Sequence, residues 1–137
     1  MVRLKNLFYA ALTIGLGITL GCNSRAKANA AVAKLERRVD LSQAAAWAKL
    51  IVESSDPAKQ FQIQGSALPQ SLLRTPTSQR LNANLVHFST GEWIIELDSE
   101  MGLEHCGVAL GRENAQFPPG YHVYKIKPGI YYFQSHL

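Results

Sequence analysis

The sequence predicts an α+β domain, one N-terminal helix packed on an antiparallel sheet of about five strands that includes two hairpins. Three observations carry this. Asp40-Leu-Ser-Gln43 opens an Ala-rich run to Val52 with apolar residues at helical spacing. Residues 85–98 read as alternating strands around Ser89-Thr-Gly91, and Pro128-Gly129 separates two aromatic-rich strand patterns. A chain of 137 residues, 47% hydrophobic and 18% charged, has the length and composition of one globular domain. Those figures exclude a multidomain enzyme and a disordered tail, and two cysteines exclude a disulfide-rich scaffold.

Taken in order, residues 22–39 are rich in Ala, Asn and basic residues, with Val32, Leu35 and Val39 at helical spacing, and read as a partly helical tether. At Asp40 the side chain is suited to accept from early backbone amides of the following helix, with Gln43 reaching back. Trp47, Leu50 and Ile51, joined by Ala44 and Ala48, form its expected apolar face. Ser54-Ser-Asp56-Pro57 stops the helix, because the residue before proline avoids helical angles. An alternative is one unbroken helix over residues 27–54, similar to the spine of a pilin, although the pilin cleavage motif is missing. Residues 58–82 read as connection, with a short helical turn at Leu68-Pro69-Gln-Ser-Leu72-Leu73 in which Pro69 loses no bond.

Leu85–Phe88 and Glu92–Asp98 then form a hairpin in which Trp93, Ile95 and Leu97 pack while Glu92, Glu96 and Asp98 face water. Cys106–Leu110 is a third strand. Gly111–Gly120, with Pro118-Pro119-Gly120, is a loop. Tyr121–Ile126 and Ile130–Phe133 make the second hairpin, with Pro128 setting the first turn angle and Gly129 the positive one. The domain organisation is therefore a signal segment over 1–21, a tether over 22–39 and a folded domain over 40–137.

The sharpest motif lies at the start. Arg3 and Lys5 precede a stretch, Leu7–Leu20, that carries no charge, followed by Gly21-Cys22. This is the layout of a secretory signal peptide. Thr19-Leu20-Gly21-Cys22 resembles the lipobox of bacterial lipoproteins; Gly21 and Cys22 fit, while Thr19 and Leu20 depart from the residues preferred there. The resemblance covers residues 1–22. It implies that Cys22 becomes the lipid-carrying (palmitate-type) first residue of a mature chain held in the bacterial cell envelope, facing the periplasm or exterior. Each buried methylene adds about 0.8 kcal/mol of membrane affinity, so several acyl chains hold firmly. Asn23 implies the outer membrane under the enterobacterial sorting rule. The alternatives are an uncleaved anchor, since the charge-free run Asn6–Ser24 nearly spans a bilayer, or cleavage elsewhere. Within the mature part, Leu68-Pro69-x-Ser71-Leu72, Gly107-Val-Ala and Pro128-Gly129-Ile130-Tyr131-Tyr132 are similar to small uncharacterised bacterial proteins, a resemblance that implies no activity.

Removal of residues 1–21 takes away Arg3 and Lys5 and lowers the formal charge from +4 by two, which weakens any case for nucleic acid. The remaining charge is uneven. Arg25, Lys27, Lys34, Arg37 and Arg38 meet only Glu36, whereas Glu92, Glu96, Asp98, Glu100 and Glu104 stand without a Lys or Arg among them. A basic juxtamembrane stretch can lie on anionic headgroups, or simply be solvated.

With Cys22 lipidated, Cys106 is the one thiol left and the domain has no internal disulfide. Cys106 with His87 or His122 is the candidate catalytic pair; His105, adjacent in a strand, points to the other face. The competing use of Cys106 is as a small core hydrophobe. His87, His105, His122 and Cys106 have the atom types for zinc but no short ligand spacing, so no metal and no cofactor is expected. Tyr121, Tyr124, Tyr131 and Tyr132 concentrate aromatic surface in the last hairpin and are the candidate binding residues. The expectation is an envelope lipoprotein whose domain is a non-enzymatic binding module, its partners membrane lipid through Cys22 and an envelope protein, without nucleic acid. The alternatives are a thiol-dependent envelope enzyme or redox protein using Cys106 and a pilin-like subunit.

Overall fold

A computed structural model describes residues 25–64, 67–74, 81–101 and 104–136, without the side chains at 64, 98–101, 104 and 136. The signal segment and Cys22 lie outside the described residues. Among these residues no helix is long and apolar enough to cross a membrane.

Three helices lie on a five-stranded antiparallel sheet of order β1-β2-β3-β5-β4. The expected single helix is thus three. The first, α1, occupies residues 25–36 within the stretch expected to be a tether. Residues 25–36 contain neither Gly nor Pro, and Ala28, Val32 and Leu35 make one stripe that is buried in the core. The chain turns at 37–38, and Val39 bridges to Leu73 before α2 (Leu41–Val52) begins. Asp40 caps α2, its carboxylate accepting from the Gln43 amide at 3.2 Å. That break separates α1 from α2, so the unbroken helix over 27–54 is not formed.

Helix α2 buries Leu41, Ala44, Ala48, Ile51 and Val52, whereas Leu50 is 76% exposed and Trp47 only half-buried. The expected face is rotated by part of a turn, because the small alanines lie closest to the sheet and the larger Trp47 is left at the margin. Helix α3 (Pro57–Gln64) occupies residues expected to connect. Asp56-Pro57 does stop α2, but it also starts a helix: Asp56 accepts from the Lys59 amide at 3.2 Å, and Pro57 sits where no amide is needed. The 3₁₀ turn Gln70–Leu72 follows Pro69 as expected.

The strands are β1 (Ala83–His87), β2 (Trp93–Met101), β3 (Glu104–Leu110), β4 (Tyr121–Lys127) and β5 (Ile130–His136). Both expected hairpins form, with Gly91 at φ +97° and Gly129 at φ +77° in their turns. Because β5 inserts beside β3, the 111–120 loop must carry the chain past β5 to the edge position of β4.

That loop changes what the second sheet face is. On the helix side Ile95, Leu97, Val108, Leu110, Ile130 and Tyr132 pack beneath α1 and α2. On the other side Phe88, Ile94, Ala109, Tyr131 and Phe133 form a second core, covered by Ala115 and Phe117 of the loop. The face expected to be wet is therefore covered, and Glu92 and Glu96 are 7% and 2% exposed. Glu92 is accommodated by Arg112, whose Nε and Nη2 both donate at 3.0 Å, and by the Gln116 amide at 2.7 Å. Glu96 lies 3.1 Å from His105 Nε2. Alternation places side chains on faces correctly, but it does not show that a loop 20 residues on will cover one of them.

A candidate binding cavity between α1 and the sheet

The position of α1 follows from two anchors. Its buried stripe enters the main core, and its C-terminal end is held by Lys127 Nζ on Glu36 Oε1 at 3.1 Å. Beyond it, Arg74 donates from its amide to the Arg38 carbonyl at 2.8 Å and from Nε to the Val39 carbonyl at 3.3 Å. Beside the buried stripe runs a second one, Lys27, Ala31 and Lys34, spaced four and three residues apart and so on one flank, with Arg38 in the turn beyond. This flank does not close onto the sheet. Between them lies a cavity of about 310 Å³ whose floor is Leu97, Cys106, Gly107, Val108 and Tyr132, with Ala30 and Leu35 on the helix side.

The register explains the floor. Leu97 pairs with Val108, and Val108 with Tyr132, so the three form one rung across β2, β3 and β5 on the helix-facing side. Cys106, two residues along β3, projects from the same face beside them. The cavity is therefore amphipathic: apolar below, with the basic residues Lys27, Lys34 and Arg38 among those on its other side.

The residues singled out from sequence are distributed as follows. Cys106 and His122 both pair with Gln134, which puts them on one rung but two strands apart. With neighbouring strands spaced about 4.8 Å, the backbones are about 9.6 Å apart, with Gln134 between them. His87 is stacked on Trp93 at a centroid distance of 3.9 Å, toward the opposite end of the sheet from Cys106. His105 faces the second core, paired with Glu96 and set edge-on to Phe133. Cys106 is half-buried and lines the cavity instead. Among the described residues no group of three or more His, Cys, Asp or Glu side chains is arranged to hold a metal ion.

Of the four tyrosines, Tyr131 and Tyr132 are 3% and 2% exposed and belong to the two cores. The partly buried Tyr124 packs near Tyr132, while Tyr121 sits among Phe88, Phe117 and Phe133. Tyr121 and Tyr131 also border a second, more open depression of about 440 Å³ beneath the loop, together with Lys125, whose Nζ lies 3.2 Å from Asn114 Oδ1. The hairpin is thus largely structural.

The α1 flank escaped the sequence reading, although its signal was present. Lys27, Lys34 and Arg38 register as a basic stretch, and only their phase relative to Ala28, Val32 and Leu35 reveals that they overhang the sheet. No family model matches the chain, and neither a curated protein nor a solved structure resembles it closely enough to match.

Proposed function

We propose that the chain is a membrane-anchored bacterial envelope lipoprotein, attached through Cys22, whose folded domain is a binding module with its ligand site in the cavity under α1. The observation that carries the binding reading is the cavity itself, an apolar floor with Lys27 and Lys34 on the helix side. Ligand pockets combine largely apolar lining with a few placed polar groups in this way. The attachment rests on Arg3 and Lys5 ahead of an uncharged apolar stretch ending in Gly21-Cys22. The separation of Cys106 from His87, at opposite ends of β2, supports binding over thiol catalysis by that pair.

Attachment is tested by the mass of the N-terminal peptide recovered from membranes, beside a Cys22→Ser variant fractionated identically. A peptide beginning at an acylated Cys22, with the variant losing that mass and processing, is the expected result. An unmodified Cys22 in a membrane-bound chain overturns the lipoprotein reading in favour of an uncleaved anchor.

A further inference from the structure

We infer that the ligand of the α1 cavity is a single-chain anionic amphiphile, an alkyl chain ending in a carboxylate; this rests on the reading of the cavity as the binding site. Each half of that molecule answers a separate feature. Leu97, Val108 and Tyr132 offer an apolar floor that a small hydrophilic anion would leave uncovered. Lys27 and Lys34 stand over it seven residues apart, about 10 Å along the helix. A neutral alkyl ligand drawn against the two ammonium groups would strip water from cations and return no counter-charge, which is unfavourable. A carboxylate head supplies the counter-charge while its chain covers the floor.

The size of the space sets the number of chains. Small-molecule pockets run from roughly 300 to 1,000 Å³, and a cavity of about 310 Å³ stands at the lower limit. One alkyl chain fits that volume better than the paired chains of a diacyl lipid.

Cys106 on the floor gives a direct readout of occupancy. The full-length Cys22→Ser chain has Cys106 as its single thiol. In phosphatidylcholine vesicles, the rate of Cys106 alkylation by uncharged iodoacetamide is followed with dodecanoate, dodecanol or acetate added. Dodecanoate is expected to slow alkylation about tenfold at a tenfold excess over its Kd, since roughly a tenth of the sites then stay empty. Acetate and dodecanol have little effect, and Lys27→Glu with Lys34→Glu removes the dodecanoate protection. Both lysines are exposed, so the double variant keeps the fold. An Ala30→Trp variant, altered at an exposed residue of the cavity wall, loses protection without a change in charge. Equal protection by dodecanol, or protection that survives the lysine reversals, overturns the anionic class and leaves the cavity as a binding site. If none of the three ligands protects Cys106, the cavity reading itself fails together with the inference.

Discussion

The Tyr131 hydroxyl is the point at which the loop over the second core is tied to the sheet. It lies 2.5 Å from the Arg112 carbonyl and 2.6 Å from that of Glu113, to which it donates, and accepts from the Ala115 amide at 3.1 Å. Tyr131→Phe keeps the ring among Phe88, Phe117 and Phe133 and leaves the loop's polar groups short of a partner, so a loss of about 1–3 kcal/mol is expected in urea unfolding. The same residue sets an alkaline limit. Burial, reinforced by Glu92 and Glu113, pushes the phenol above its ordinary value of 10.0 against the opposing bond from Ala115. The folded chain then keeps a proton that the unfolded chain releases. This contribution is complete below the unfolded value and is lost as pH rises from there through the folded one. Stability measured from pH 8 to 11 should fall more steeply for the native chain than for Tyr131→Phe; equal slopes would remove Tyr131 as the cause. Arg112→Ala tests the neighbouring tie: it leaves the 7%-exposed Glu92 carboxylate with the Gln116 amide alone, and a loss of about 1–3 kcal/mol follows.

Among the elements, the two hairpin turns differ in what their glycines must avoid. At Gly129, φ is +77° and an added Cβ would stand 2.9 Å from the Gly111 carbonyl oxygen, a contact with backbone that cannot swing away. At Gly91, φ is +97° but the space is open. Gly91→Ala therefore carries the dihedral strain alone, of order 1–3 kcal/mol, and Gly129→Ala carries that strain plus a clash at the β5 end of the hairpin. Thermal unfolding of the two variants should rank Gly129→Ala as the more damaging; the reverse order would mean that the Gly111 carbonyl yields. These turns were legible in the sequence because Pro-Gly and Ser-Thr-Gly carry their conformation locally. So was the Asp40 cap. Helix α3 was not, since Asp56-Pro57 is at once a stop and a start: the same residues that end α2 cap the next helix, which Phe61 then ties to the core. The strand faces were legible from alternation, but the burial of Glu92 depends on Arg112 and Gln116, which no local pattern connects to it. The cavity was hidden for the same reason: its wall and floor lie about 70 residues apart from Lys27 to Leu97.

For the molecule as a whole, the decisive matter is whether α1 is linker or core, because the cavity exists only if α1 is held against the sheet. A solvated tether would place no demand on its apolar residues. Here Ala28, Val32, Leu35 and Val39 are 0–8% exposed and share one cluster with Ile95, Leu97 and Val108. Stripping a buried leucine to alanine costs about 2–5 kcal/mol through lost transfer energy and the space left behind. Leu35→Ala should therefore destabilise the whole chain by an amount in that range. Leu50→Ala provides the comparison: Leu50 sits on α2 at 76% exposure, and truncation there should stay within about 0.5 kcal/mol. Equilibrium unfolding followed at once by tryptophan fluorescence and by far-ultraviolet circular dichroism separates the cases. Trp93 is in the sheet and Trp47 on α2, so neither indole reports α1 directly. If α1 belongs to the core, Leu35→Ala moves both transitions together. If α1 were an independent tether, the variant would lose some helical signal while the fluorescence midpoint stayed in place, and the cavity would lose its wall.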